Sequence, residues 1–368
     1  MITLPDIKKM YEKAVISKGN GRRLVKALRK AKEGQTITVG FIGGAITAGY
    51  NAIPRDENSY AALTYKWFNN TFKTAHVKYV NAGIGATDSY LGVHRVEKDL
   101  LEYNPDIVIV EFAVDDKKEW NKESYDSLLR KIYLWSSNPA VVLLFLTNRD
   151  GVDNQGVQQE IGAYYGFPMI SYRNAIIEEL KNGRLGWNLI ASDADGIHPE
   201  NTGHFMIAHF LTTYFEETME LINHLDELPE DELKPAYTED IYKEAKMVNN
   251  TNAFPCEVDM FDPIRLSYVP FHNGFRTTTG GLIVFELYAK NIGVVYYGTQ
   301  DGLSGKFDVL VDGEFKMALD ADFVTEWGNF ADYREVYRSS QEKVHKVEIR
   351  RSVDSRQDYF TILGFTIS

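Results

Sequence analysis

The chain has 368 residues, of which 44% are hydrophobic and 25% charged; this is the composition of an ordered globular protein long enough for two domains. Asp and Glu outnumber Lys and Arg by 52 to 40, a formal charge of -12. Nucleic acid and anionic membrane surfaces both need concentrated positive charge, so neither is an expected partner, and a neutral, sugar-like ligand suits the chain better. The one cysteine, Cys256, cannot form an internal disulfide. It reads as a buried structural thiol, and no Cys/His cluster has metal-ligand spacing, so no metal and no cofactor are expected. The first residues carry no apolar signal core, and no apolar run is long enough to span a bilayer. The expected location is cytoplasmic; the oligomeric state is left open.

In chain order, the first half alternates two textures. Apolar runs recur at Thr36–Ile42, Val77–Val80, Ile107–Phe112, Val141–Leu146 and Pro168–Ile170. They are short, continuous and rich in Val, Ile and Phe, the pattern of strands buried on both faces. Segments with helical spacing lie between them: Tyr60–Phe72, Leu91–Glu102, Lys122–Trp135, Gly156–Tyr165 and Tyr172–Asn182. Such alternation predicts an α/β domain with a parallel sheet covered on both sides. A helical stretch from Glu200 to Leu225 closes it.

An acidic, proline-bracketed segment from Asp226 to Pro235 then marks a boundary. The expected division is a first domain over 1–226, a linker over 227–253 and a second domain over 254–368. In the last part Gly, Thr, Tyr, Phe and Val dominate. Strand-like runs appear at Gly281–Leu287, Gly293–Tyr297, Phe307–Val311, Val344–Arg350 and Tyr359–Ile367. Asp312-Gly313 is a tight-turn signature, and the segment reads as an all-β sandwich.

Four segments of the first domain carry chemistry. A buried strand runs through Val39-Gly40-Phe41-Ile42 into Gly43-Gly44 and then into an expected helix start at Ala45. Free N–H groups at a helix start favour negative charge, and ligands of open α/β sheets bind beyond the carboxyl ends of the strands. A nucleophile belongs there, yet Ala45 has no nucleophilic atom. Asp195 precedes His198 by three residues in one loop, so its carboxylate can take the imidazole Nδ1–H and leave Nε2 as a base. Asn81 to Thr87 follows the second strand and can aim N–H groups at an oxyanion. Glu111 to Asp116 ends the third strand at the same edge. Singly, each also fits an ordinary connection.

Together, in order and spacing, these segments resemble the SGNH/GDSL hydrolase family over roughly the first 220 residues. Gly43-Gly44-Ala45-Ile46-Thr47 resembles its Gly-Gly-Ser block, Asn81–Ala86 the second, Val114-Asp115-Asp116 the third, and Asp195 with His198 the Asp-x-x-His block. The resemblance implies a flavodoxin-like α/β/α sandwich and acyl transfer through a serine acyl-enzyme. His198 would be base and then acid, and Asp195 would orient it. The oxyanion hole would use the N–H of Ala45 and of Ala86 with the side chain of Asp115. Two departures matter. Ala45 replaces the serine, so no acyl-enzyme can form and the chain is expected to bind its ester without turning it over. With Asp195 and His198 intact, it reads as an inactive Ser-to-Ala variant of an active esterase. Asp115 replaces an asparagine, and a carboxylate repels an oxyanion unless protonated or turned away.

An SGNH domain followed by a β-sandwich is similar to carbohydrate esterase family 17, acetyl-mannan esterases with a carbohydrate-binding-module-like second domain. Asn81–Ala86, Gly92-Val93-His94-Arg95 and Phe360–Phe365 carry that likeness. It implies removal of acetyl groups from plant-polysaccharide oligosaccharides, with an acetylated β-mannan oligosaccharide as partner. Arg95 is expected to line the cleft or to pair with Glu97 or Asp99. Trp327 is expected either to close the cleft over the sugar or to sit in the sandwich core. His94 and His204 read as structural or exposed. Two other readings stand beside this one: a non-catalytic carbohydrate-binding protein, and a lipase or thioesterase on the same fold.

Overall fold

A computed structural model of the chain describes residues 6–267 and 271–368. The chain separates into two compact units at the Ile241–Tyr242 bond.

In the first unit, α1 (Ile7–Ala14), β1 (Val15–Ser17) and α2 (Arg22–Lys32) precede β2 (Ile37–Gly43). Then follow α3 (Arg55–Asn58), α4 (Tyr60–Thr71), β3 (Val77–Gly83), α5 (Ser89–Asp99), β4 (Ile107–Glu111), α6 (Asn121–Tyr133) and β5 (Ala140–Phe145). The unit continues with α7 (Gln155–Tyr165), β6 (Met169–Ser171), α8 (Tyr172–Lys181) and α9 (Asn201–Met219). The strands lie in the order β1-β6-β5-β4-β2-β3. From β6 to β3 all pairings are parallel, and β1 adds an antiparallel edge against β6.

The five predicted strands are present within one residue of their expected limits, except that β3 runs three residues beyond Val80. Every residue of β2, β4 and β5 is buried, so these strands read as unbroken apolar runs. Each fully buried Val, Ile or Phe contributes about 1.5–3 kcal/mol, which fixes the strand layer firmly. Phe41, Ile109, Val142 and Leu144 from the sheet join Leu28 of α2, Phe68 of α4 and Phe210 of α9 in one core cluster. The Pro168–Ile170 run is mostly β6, and α9 ends at Met219, before the expected Leu225.

The expected linker is not a free tether. Arg22 donates to the carbonyls of Leu225 and Leu228, Arg23 pairs with Asp231, and Arg130 pairs with Asp240. The Thr238 N–H and hydroxyl both donate to Asp126 at 2.7 Å. These bonds hold 227–241 to the first unit. On the other side of the division, β7 (Lys246–Val248) already pairs with β15 (Phe360–Ile367). The segment is mostly exposed, as an acidic stretch with little to bury should be, and arginines bind Glu230, Asp231 and Asp240.

The second unit continues with β8 (Glu257–Asp259), β9 (Asp262–Arg265), β10 (Asn273–Thr277), β11 (Leu282–Gly298), β12 (Lys306–Val311), β13 (Glu314–Asp320), β14 (Phe330–Arg351) and the closing β15. All strand pairings are antiparallel, as an all-β sandwich domain requires. Asp312 (φ 53°) and Gly313 (φ 83°) form the predicted two-residue turn between β12 and β13; two positive φ values in succession define a type I′ hairpin. Phe285, Val294, Phe307, Val347, Phe360 and Phe365 are among the residues of its separate core. Cys256 is exposed, not buried as expected. It precedes the outlying strand β8, and its N–H donates to the Val284 carbonyl at 2.8 Å. Among the described residues no helix is long and apolar enough to cross a membrane.

Candidate active site

The site forms in the first unit where β2, β3 and β4 end. After β2 the backbone does not enter the expected helix. It closes hydrogen-bonded turns, with Ala48 N–H donating to Gly44 O (3.0 Å) and Tyr50 N–H to Ala45 O (3.1 Å). Gly49 (φ 86°) and Asn51 (φ 63°) then stop helical propagation. Ala45 is partly exposed on this turn, while Ile46 and Thr47 are buried beneath it. The anion-attracting donors here are therefore those of one turn, not the end of a long helix.

Buried polar groups hold the turn from below. Thr47 Oγ1 donates to Glu111 Oε2 at 3.0 Å, so its contact with the Tyr60 hydroxyl (2.8 Å) must be accepted from Tyr60. Asn81 Nδ2 donates to Thr47 O at 2.8 Å, and Asn81 Oδ1 accepts Gly83 N–H at 2.9 Å. A Cβ on Gly83 would stand 2.3 Å from Ala48 N, so the first and second blocks touch backbone to backbone and glycine is required there. Ala86 sits in the left-handed region at φ 61°, a conformation that costs a non-glycine residue roughly 1–2 kcal/mol. The N–H groups of Ala45 and Ala86 donate to no atom among the described residues.

The histidine side of the site is equally ordered. Asp195 Oδ1 accepts the N–H groups of Ile197 (2.8 Å) and His198 (3.1 Å), and Oδ2 lies 2.7 Å from His198 Nδ1. Partial burial pushes this carboxyl up, but the His198 and backbone hydrogen bonds outweigh it and hold it below the usual aspartate range. An ionised acceptor fixes the imidazole proton on Nδ1 and leaves the Nε2 lone pair available. Nε2 has no hydrogen-bond partner among the described residues.

Tyr50, which the sequence reading did not single out, links the two sides. Its ring stacks on His198 with centroids 5.6 Å apart. Its hydroxyl lies against Gly85, where an added Cβ would approach it to 3.1 Å. His204 fixes the Tyr50 backbone. Tyr60 N–H donates to His204 Nδ1 (3.2 Å), so Nε2 carries the ring proton and donates to Tyr50 O (3.0 Å). The turn bearing Ala45 and the loop bearing His198 thus converge through Tyr50. An Asp–His pair, a turn with free amides and a second amide at Ala86 can hold an ester carbonyl and move a proton.

No protein-family model and no curated protein matches the chain. Among solved structures, a two-domain esterase active on acetylated mannans superposes with a TM-score of 0.90 at 29% identity, covering 97% of this chain and 98% of that one. The same kind of esterase co-crystallised with mannopentaose gives 0.89 at 29% identity, covering 97% of each chain. The chain is thus similar over nearly its whole length to a two-domain acetylated-mannan esterase.

For two residues the structure excludes one of two expected places. Arg95 does not line a cleft. Its guanidinium is buried and donates to Ala82 O (2.6 Å), Gly43 O (3.2 Å) and Asp99 Oδ2 (3.1 Å). Those carbonyls end β3 and β2, so Arg95 ties the two strands behind the site and is spent on backbone; the pairing with Asp99 is the half of the expectation that holds. Trp327 is not in the sandwich core. It is 67% exposed, and its ring lies parallel to Phe330 at 4.7 Å. His94 and His204 are buried and hydrogen-bonded, as expected of structural histidines.

Asp115 is pressed against the turn that carries Ala45. A Cβ on Gly44 would meet its Oδ2 at 2.0 Å, and the carboxyl has no hydrogen-bond partner among the described residues. Burial pushes it up to about 7; Lys117 opposes this and Asp88 adds to it. Beside it, burial holds Glu111 well above the usual range, with Asp115 and Asp116 adding to the effect. Asp116 is also raised by burial and by Asp88, and accepts Ser89 N–H and Gln158 Nε2, each at 2.8 Å. Asp115 titrates higher in the fold than the ordinary carboxyl near 3.9 in the unfolded chain. Its contribution to stability is therefore complete below about pH 4 and lost as pH rises towards 7. Asp115→Asn removes the ionisation. Thermal melts should show the variant about 2 kcal/mol more stable than the parent at pH 8, a value discounted for partial exposure, and nearly equal at pH 4. Equal melting behaviour at pH 8 would contradict a strained carboxylate.

Proposed function

We propose that the chain is a carbohydrate O-acetyl esterase scaffold that binds acetylated plant-polysaccharide oligosaccharides, derived from β-mannan. With serine at position 45 it removes acetyl groups through an acyl-enzyme, and with Ala45 that route is closed. The full-length likeness to a two-domain esterase active on acetylated mannans carries this reading. The Asp195–His198 pair at 2.7 Å and the unspent N–H groups of Ala45 and Ala86 support it.

In this reading the N–H groups of Ala45 and Ala86, with Asp115 in its protonated form, receive the acyl oxygen. Asp195 orients His198, which serves as base and then acid. The exposed indole of Trp327, backed by Phe330, offers a flat apolar face of the kind that stacks on a pyranose ring, and the second unit acts as a carbohydrate-binding module. A cytoplasmic setting agrees with a chain whose one cysteine forms no disulfide. Calorimetric titration with acetylated and with chemically deacetylated manno-oligosaccharide is expected to give at least tenfold tighter binding of the acetylated form. Equal affinity for the two would remove the acetyl-recognition site.

A further inference from the structure

Losing a nucleophilic hydroxyl does not dismantle the rest of the site. His198 keeps its partner Asp195, and its ring is partly exposed with Nε2 free of protein partners. The amides of Ala45 and Ala86 remain unspent, and Ala45 itself is partly exposed. The Asp115 carboxyl, also without a partner, lies on the Gly44 backbone beside them. A base without an internal hydroxyl to deprotonate acts on solvent.

We propose that this chain hydrolyses its ester by single displacement, with His198 activating a water that attacks the acyl carbonyl directly, so that no acyl-enzyme forms. The inference rests on the acetyl-esterase reading above and replaces the expectation of complete inactivity drawn from Ala45 alone. In the first step the water oxygen bonds to the acyl carbon, one water proton passes to Nε2, and the carbonyl π pair moves onto its oxygen. The N–H groups of Ala45 and Ala86 donate to that oxyanion, and so does the O–H of protonated Asp115. In the second step the oxyanion re-forms the carbonyl, the bond to the sugar oxygen breaks, and that oxygen takes the proton from Nε2. The products are acetic acid and the free sugar hydroxyl, with His198 neutral again; the acid releases its proton to solvent.

Asp115 suits this chemistry only as an acid. Burial is what pushes it up to about 7, with Asp88 adding and Lys117 opposing, and Glu111 and Asp116 are the other titratable groups beside it. A carboxylic acid then donates where an ionised one would repel. Turnover should therefore weaken above about pH 7, and Asp115→Asn, whose amide donates at every pH, should retain its rate at pH 8.

The test compares the full chain with His198→Gln, purified identically, on p-nitrophenyl acetate and on acetylated manno-oligosaccharide. A positioned base is worth about 10²–10⁴-fold, so the chain should exceed His198→Gln by at least about 10²-fold. Release should be linear from the first turnover and resistant to phenylmethanesulfonyl fluoride. A rate equal to that of His198→Gln, or one abolished by the sulfonyl fluoride, overturns single displacement. Ala45→Ser separates the two ideas. If it is active while the parent is not, single displacement fails and the esterase reading stands. If it folds, as judged by its melting curve, and is also inert, the esterase reading itself fails.

Discussion

Ala45→Ser is expected to raise turnover of acetylated manno-oligosaccharide and p-nitrophenyl acetate by about 10³-fold or more over the parent chain. The site lacks one atom for acyl transfer. The base is oriented by a 2.7 Å contact with Asp195, the turn is held by Thr47, Glu111 and Asn81, and the amide of residue 45 is already unspent. The side chain is partly exposed, so a hydroxyl can be added without overpacking the core, and stability should change by less than about 0.5 kcal/mol. A burst of nitrophenol equal to the enzyme concentration, and stoichiometric inactivation by a sulfonyl fluoride, would report the acyl-enzyme. Turnover of the variant, like that of the parent, should be weaker at pH 8 than at pH 6, because Asp115 ionises near 7 beside the developing oxyanion. A gain without a burst would mean that serine assists water and is not itself acylated.

Arg95→Leu carries the largest expected loss of stability, about 3–5 kcal/mol. Three acceptors depend on this guanidinium: the carbonyls of Gly43 and Ala82 and the Asp99 carboxylate. Leucine fills part of the volume but takes one donor from each of two buried carbonyls, leaving Gly43 O to the Ile84 N–H, and takes the partner from a carboxylate. In a unit of this size the loss corresponds to a fall in Tm of roughly 10 °C. The carbonyls concerned belong to the last residue of β2 and the penultimate residue of β3, so ligand affinity should fall with stability. A loss below about 1 kcal/mol would mean that water replaces the arginine, contrary to its burial.

Burial on both faces made the parallel strands legible. Ile37–Gly43 and Ala140–Phe145 are buried at every residue, and a continuous apolar run is the direct trace of that environment. The dyad was legible because its geometry is local: three residues and one loop bring Asp195 to His198. What escaped was non-local or backbone-borne. Val15–Ser17 is three residues long and finds its partner at Met169–Ile170, far along the chain. Gly281–Leu287 and Gly293–Tyr297 read as separate strands because polar residues intervene, yet the 17-residue strand β11 runs through them with register shifts between Ala289 and Gly293. The helix expected after Gly44 gave way to turns because Gly49 and Asn51 take positive φ. The place of Arg95 stayed open between cleft and ion pair because a sequence lists its charge and not the carbonyls it reaches. Tyr50 carried no motif; only its ring contact with His198 identifies it.

The two interior imidazoles set an acid limit to the fold. Burial drives His94 down to about 3 and His204 down to about 4, while the same groups in an unfolded chain accept protons near 6.5. Acidification below that point therefore favours unfolding, and alkalinisation does so through Glu111, Asp115 and Asp116. Opposed in sign, the two sets squeeze the folded state from both ends of the scale. They leave it most resistant in weakly acidic solution, below the value of about 7 at which Asp115 gives up its proton.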